Sequence, residues 1–434
     1  MSQAANTGQR KRVLSGMRPT GRLHIGHYFG ALKNWIRMQE EYDCFYFVAD
    51  WHALTTHYEE TSSIAENTLQ VAIDWLAAGL DPAKSTIFVQ SSVLEHAELH
   101  VLLSMITPLS WLERVPTYKE QIENLKDRDL GTYGFLGYPL LQSADIVIYD
   151  ADFVPVGEDQ VPHVELTREI VRTFNFTFGL RIQDDLFRDP QIYNRVRSKF
   201  SGSFREPAGT APAIGNQSAE LAGNSRMPEF RIAARRAIDE WGFENFLQKM
   251  GRDAKYFKLK PILYEPAHLL TETPRLPGTD GRRMAKSYGN AIWLSESDDS
   301  MRRKIRGMVT DPARVRRHDP GNPDVCPVFA WHKLFSDQPV IDRVNKECRT
   351  AEIGCVDCKG MMADALIRWI SPVRARRLEF EAQPEKVRDI LAEGSAKARK
   401  AARRTMGRVR KAIFGEQGAA KREPAAAKVS GAGN

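Results

Sequence analysis

Through the first third of the chain, short apolar runs rich in β-branched and aromatic residues alternate with longer stretches of helical spacing. That alternation points to a parallel α/β sheet, because parallel strands need crossover helices to join them. Residues 13–16, 44–50 and 85–91 are the strand candidates. Residues 27–41 and 62–78 carry apolar side chains three and four apart, as one face of a helix requires. The second of these stops at Gly79, with Asp81-Pro82 beyond it. Residues 145–149 end a further apolar helix. Residues 153–156 form a short strand that opens onto Gly157-Glu158-Asp159-Gln160.

Residues 189–262 break this rhythm and read as an inserted subdomain. Within them, 201–225 is rich in Gly, Ala, Ser, Pro and Asn and is expected to be a loop or disordered, whereas 232–250 has helical spacing. Residues 263–298 return to the sheet domain begun by residues 1–188. From 299 to 414 the pattern is almost entirely helical, which predicts an all-helical C-terminal domain. The tail, 415–434, is low in apolar bulk and is expected to be disordered.

The chain has 434 residues, enough for two or three domains, and its 27% charged and 42% hydrophobic residues are ordinary for a soluble protein. Residues 1–12 are polar, so no secretory signal is expected. No run approaches the ~18 apolar residues of a membrane span. The cytoplasm is the expected location. The net charge is only +7, but residues 397–411 hold eight Lys and Arg and no acid. Such a face suits a phosphate-backbone partner or is simply a solvated helix surface.

Four of the five cysteines, Cys326, Cys348, Cys355 and Cys358, are clustered, with 21, 6 and 2 residues between them. In a chain otherwise poor in cysteine and expected in a reducing compartment, they read as metal ligands rather than disulfides. Spacing alone permits a tetrahedral zinc site or an iron–sulfur cluster. Cys44 stands apart, in an apolar run.

Two segments carry phosphate chemistry. Gly16-Met17-Arg18-Pro19-Thr20-Gly21-Arg22-Leu23-His24-Ile25-Gly26-His27 leaves the first strand and opens the first helix. A helix N-terminus offers free N–H groups to an anion. His24 and His27 share one face of the first turn, and Gly26 leaves room for a base to approach. The second segment is Thr279-Asp280-Gly281-Arg282-Arg283-Met284-Ala285-Lys286-Ser287-Tyr288-Gly289-Asn290. A basic loop of this kind can close on a transferring phosphate group.

Together these segments resemble the two signatures of class I aminoacyl-tRNA synthetases. His24–His27 matches H-I-G-H, and residues 283–287 resemble K-M-S-K-S, with Arg283 and Ala285 as departures. The resemblance extends to bacterial tryptophanyl-tRNA synthetases over residues 15–32, 50–55, 138–149, 154–160 and 165–168. It implies a Rossmann-like catalytic domain and a helical anticodon-binding domain spanning 299–414. It also implies a homodimer, no membrane association, and tRNA(Trp), L-tryptophan and ATP with Mg²⁺ as partners and substrates. By residue, it places Gly16, Arg18, His24, Gly26, His27, Lys119, Gly157, Asp159, Arg283, Met284, Lys286 and Ser287 about ATP, with His24, His27 and Lys286 catalytic. Tyr138, Gln142, Asp145, Gln160 and His52 are placed about the amino acid, and Asp145 accepts the indole N–H. The four cysteines are similar to a 4Fe–4S motif carried by a subset of this family, with Zn²⁺ the alternative.

Gln142 keeps tyrosyl-tRNA synthetase open as a second reading, since those relatives use Gln and Asp at this spacing. The opening strand lacks their tyrosine. A nucleotidyltransferase of another kind and a non-acylating RNA-binding paralogue are weaker alternatives.

Overall fold

The structure is a computed structural model; it describes residues 10–116, 118, 131–200, 219–271 and 276–415, with side chains from 228 onward in the helix that starts at 219. Four strands, β1 (Arg12–Met17), β2 (Asp43–Val48), β3 (Ser85–Val89) and β4 (Phe153–Val156), meet the four predicted positions. The two further strands β5 (Leu180–Ile182) and β6 (Phe257–Leu259) form an antiparallel ribbon of their own. A seventh, β7 (Ala267–Leu270), returns to the main sheet. The sheet order is β3-β2-β1-β4-β7, all parallel. The chain reverses its direction of growth between β1 and β4, and the carboxyl ends of strands at such a switch point form a ligand crevice.

Helix α1 leaves β1 as Ile25–His27, passes through a π-helical turn at Tyr28–Leu32 and continues as Lys33–Met38. The crossovers and flanks are α2 (Asp50–His57), α3 (Ile64–Ala78), α4 (Glu95–Ser104), α5 (Tyr133–Val147) and α6 (Val161–Phe174). The inserted segment holds α7 (Pro190–Ser198), α8 (Ala219–Trp241) and α9 (Phe243–Met250). After the sheet come α10 (Asp298–Arg306), α11 (Pro327–Phe335), α12 (Gln338–Arg349), α13 (Cys355–Glu381) and α14 (Pro384–Phe414). No helix among the described residues is long and apolar enough to cross a membrane.

The insertion has its own core, with Phe200, Phe230, Ile238, Phe246 and Phe257 buried against Leu180 and Ile182. This unit starts at β5, ahead of residue 189, because β5 needs β6 for its hydrogen bonds. Residues 219–225, expected to be loop, instead open α8, so composition underestimated helix there. Residues 201–218 and the tail 416–434 lie outside the described residues.

The expected boundary at residue 299 does not divide the core. Met362, Leu366, Ile370 and Val387 share one apolar cluster with Val13, Trp35, Tyr46 and Trp75 on one face of the sheet. Ala398, Ala402, Met406 and Val409 join Leu14, Phe47 and Phe88 on the other. Helix α14 therefore runs beside the edge strand β3. Any Cβ at Gly394 would stand 1.8 Å from the Ile87 carbonyl oxygen, so only glycine lets the helix come this close.

That docking also explains the basic run. Arg399 donates to the Ser92 carbonyl and Arg403 Nε to Glu95 at 3.0 Å. Arg408 pairs with Asp150, and Arg410 Nε donates to Glu98 at 2.7 Å. Four of the eight cations of this run thus bond to the sheet domain and help hold the helix on it.

Candidate active site

At the carboxyl end of β1 the chain turns through Thr20 and Gly21 and enters α1 at His24. His24 is buried, and its backbone N–H donates to His27 Nδ1 at 3.2 Å. The two imidazoles stack with ring centroids 3.6 Å apart. Gly26 is a packing requirement: a Cβ there would lie 2.9 Å from the His24 ring and 3.4 Å from Met284 Sδ. The signature segment is held by backbone pairing to the chain that follows the basic loop. Ile25 N–H donates to the Ile292 carbonyl at 2.9 Å, and Leu294 N–H to Leu23 at 2.9 Å.

The two signature segments meet at Lys286. Its Nζ donates to the carbonyls of Thr20 at 2.9 Å and Gly21 at 3.0 Å, and stands 5.7 Å from the Trp293 ring. Burial lowers the Lys286 ammonium to about 8, with Asp74 opposing the change. Burial, then the charge of Lys286, lowers His24 to about 4. Burial and the neighbouring His24 and Lys286 lower His27 to about 3. At neutral pH both imidazoles are therefore neutral, and Lys286 supplies the positive charge. His24 Nδ1 is buried without a hydrogen-bond partner. An acceptor of this kind, or the N–H of the other tautomer, is normally satisfied in a folded protein, so the position is prepared for a ligand or water.

Met284 is buried, whereas Arg283 and Ser287 are exposed. Asn290 ties the loop together: it donates to the Arg283 carbonyl at 3.0 Å and to Asp280 at 2.7 Å, and accepts from the Ala285 N–H at 2.9 Å. Arg18 is exposed at the end of β1, with Nη1 reaching Thr56 Oγ1 at 3.4 Å. Gly16 lies within β1, its Cα facing the Phe47 ring. Gly157, Asp159 and Gln160 follow β4, and Gln160 donates to Asp159 at 3.0 Å. Lys119 lies outside the described residues.

Tyr138, Gln142 and Asp145 share a face of α5 at helical spacing. Asp145, expected to accept the indole N–H, is already engaged by side chains of this chain. Its carboxylate is 1% exposed, and both oxygens are in use. One accepts from His96 Nδ1 at 2.5 Å and the other from His52 Nε2 at 2.9 Å. Gln90 Nε2 lies 2.9 Å from both. Burial pushes the acid up, but the charge of His96 and the hydrogen bonds of His52 and His96 outweigh it, holding Asp145 down at about 2. His96 Nε2 is in turn 2.6 Å from the Tyr149 hydroxyl. Gln90, His96 and Tyr149 were not singled out in the sequence. The available signal was weak: Gln90 is a polar residue at the carboxyl end of a parallel strand, where ligands bind.

The four cysteines lie around the start of α13 and the α11–α12 region. Burial, then the charges of Cys326, Cys348 and Cys355, pushes the Cys358 thiol to about 12, so the four sulfurs sense one another. Arg314 Nη1 donates to Cys348 Sγ at 3.7 Å, and His332 Nε2 is 3.5 Å from Cys358 Sγ. Four sulfurs beside an arginine are the right donors in kind for a metal–sulfur group. Their arrangement is not closed: among the described residues no three His, Cys, Asp or Glu side chains are grouped to hold a metal ion.

The family described as tRNA synthetases class I (W and Y) matches residues 6–203 and 244–371. This chain belongs to that family. The tryptophan–tRNA ligase of Ralstonia nicotianae is 50% identical over 420 residues, covering 93% of this chain and 98% of that relative. The tryptophan–tRNA ligase of Thermotoga maritima is 43% identical, with 93% and 98% covered. Among solved structures, tryptophanyl-tRNA synthetase from Campylobacter jejuni complexed with ADP and tryptophan superposes with a TM-score of 0.68 at 28% identity, covering 93% of this synthetase and 99% of that chain.

Proposed function

We infer that this chain is a tryptophan–tRNA ligase. It activates L-tryptophan with ATP, releases pyrophosphate, and transfers the tryptophanyl group to the 3′ end of tRNA(Trp). The observation that carries the reading is the placement of two complementary centres at the carboxyl ends of the parallel strands. Neutral imidazoles and Lys286 stand at one, and the ionised, buried Asp145 at the other. The 50% identity to a tryptophan–tRNA ligase supports tryptophan over tyrosine. ATP–pyrophosphate exchange with tryptophan and tyrosine side by side tests it. Exchange with tryptophan alone is expected; exchange with tyrosine would move the assignment to the sister enzyme.

The substrate carboxylate is ionised at neutral pH, so no general base is needed. It attacks the α-phosphorus in line and pyrophosphate leaves. The chain contributes positioning and charge. His24, His27 and the α1 N-terminus hold the triphosphate, with Arg18, Gly16 and Gly26 flanking the nucleotide. Lys286 exchanges its carbonyl partners for phosphate oxygens as the loop of Arg283, Met284 and Ser287 closes. Mg²⁺, when bound with the nucleotide, would supply further positive charge. Tyr138 and Gln160 hold the substrate ammonium, Gly157 and Asp159 the ribose, and Lys119 the phosphates. The terminal ribose hydroxyl of the tRNA then attacks the mixed anhydride and displaces AMP.

At the indole end, a selective pocket needs one acceptor for the single N–H of the substrate. Of the three donors around Asp145, Gln90 and His96 are fully buried, and His52 keeps 12% side-chain exposure. The indole N–H takes the place of His52 on Asp145, beside Gln142.

Two copies assemble through an apolar surface on α2, α4 and α5. Leu54, Tyr58, Val101, Met105 and Tyr133 are exposed on or at the ends of these helices, and Leu54 and Tyr58 line a cavity of about 300 Å³. Met105→Glu should convert a homodimer to monomer in sedimentation. Cys326, Cys348, Cys355 and Cys358 would hold a 4Fe–4S cluster with a structural role, a reading supported by four thiols close enough for their charges to act on one another. Iron and acid-labile sulfide on anaerobically purified protein test this; zinc without iron would select the alternative metal, and neither would overturn the site.

A further inference from the structure

Three arginines in the last turns of α13 reach back into the sheet domain, and two of them lead to His24 by separate routes. Arg377 is 2% exposed, and its Nε donates to Asp74 Oδ1 at 2.7 Å. Asp74, on α3 and 1% exposed, uses its other oxygen to accept the Leu23 N–H at 2.7 Å. Leu23 directly precedes His24. Arg374 Nη1 donates to the Glu296 carbonyl at 2.9 Å and pairs with Asp298. The Glu296 carboxylate accepts the Trp293 N–H at 3.1 Å. Trp293 bridges to His24 through the backbone, and its ring lies 6.1 Å from the His24 ring and 5.7 Å from Lys286 Nζ. Arg376 completes the seat by donating to the Ala77 carbonyl at 2.7 Å.

We propose that Arg377 and Arg374 are positioning residues for ATP activation: they set the two phosphate-handling loops in register through Asp74–Leu23 and Glu296–Trp293. A buried Arg–Asp pair adds little net stability over apolar packing of the same volume, because desolvation offsets the attraction. Its direction is fixed, however, and a fixed acceptor on the Leu23 N–H fixes where His24 begins. The same helix carries Met362, Leu366 and Ile370 into the core shared with the sheet. ATP activation therefore depends on how α13 is docked.

This rests on the assignment of His24 and Lys286 to the phosphates, so the test includes His24→Ala. ATP–pyrophosphate exchange is measured on the full-length protein for Arg377→Met, Arg377→Lys, Arg374→Met and His24→Ala, varying ATP and tryptophan separately. Arg377→Met and Arg374→Met should each raise KM for ATP about tenfold, since sub-ångström displacement of positioned groups costs rate on that scale. KM for tryptophan should stay within about twofold, and Arg377→Lys should recover part of the loss. Equal changes in both KM values, or no change in either with unfolding temperatures preserved, would overturn the proposal. If Arg377→Met does not fold, Arg374→Met decides, because that side chain is 21% exposed and sits outside the core. Retained exchange in His24→Ala would instead break the phosphate assignment.

Discussion

The two ends of the active site are built on opposite terms. At the indole end the buried charge of Asp145 is met: it accepts from Gln90, His52 and His96 and stays ionised despite burial, with only the Gln90 amide oxygen left without a partner beside it. At the phosphate end the groups are buried with too little to hold. His24 Nδ1 has no hydrogen-bond partner, both imidazoles are depressed, and Lys286 makes do with backbone carbonyls. Satisfied buried networks are rigid, and unsatisfied ones are relieved by a ligand. The synthetase thus keeps a preset acceptor for the side chain that must be chosen, and exchangeable partners for the anion that must be turned over.

The sharpest way to break that contrast is Lys286→Ala. Removing the charge aimed at the phosphates should lower the rate of tryptophan-dependent exchange about 10³-fold, as loss of a transition-state charge partner does, while tryptophan binding by calorimetry is unchanged. Weakened tryptophan binding would mean the two ends are not separate. Asp145→Asn comes next. It should cost roughly 10²-fold in kcat/KM for tryptophan and about 3 kcal/mol in urea unfolding, because three buried donors lose their charged partner. KM for ATP should hold. Stability loss without a change in kcat/KM would make Asp145 a structural carboxylate only.

The sheet was legible because its strands are short apolar runs between helical segments, and β1 to β4 fell where those runs predicted. β7 was not, since Ala267-His268-Leu269-Leu270 is short and only half-buried at the sheet edge. The signature residues were readable as local patterns, but their chemistry was not: depressed imidazoles come from burial and from Lys286 arriving from elsewhere in the sequence. Asp145 was identified through the family resemblance of residues 138–149. Its partners Gln90 and His96 lie on other elements, so no periodicity joins them to it. The ion pairs of the basic run in α14 were hidden for the same reason, as Glu95, Glu98 and Asp150, which pair with its arginines, lie far away in sequence.

The pH profile offers a smaller effect with a defined sign. A lysine is charged below its pKa, so free enzyme should lose its phosphate-binding cation as pH rises through about 8. kcat/KM for ATP should then fall about tenfold per unit above that value, and Lys286→Arg should abolish the limb because a guanidinium stays charged. Bound phosphates favour the ammonium, so at saturating ATP the limb should move upward. No corresponding limb should come from His24 or His27 between pH 5 and 7, since both are already neutral there. A limb in that window would mean a charged imidazole at the phosphates.

His52→Ala carries the smallest expected effect and separates two meanings of a satisfied carboxylate. If Asp145 must surrender one donor to receive the indole N–H, the donor lost is the least buried one, and deleting it in advance removes a competitor without removing the acceptor. KM for tryptophan should then change by less than about threefold in exchange assays, because the lost donor at the carboxylate is replaced by the indole N–H. Gln90→Ala and His96→Ala should both cost more, since those donors stay in place when the substrate binds and hold the carboxylate at its position. If His52→Ala is instead as damaging as Asp145→Asn, His52 holds the substrate together with the acid. The indole end would then be an unfinished network like the phosphate end, and the contrast between them would be one of charge rather than of completeness.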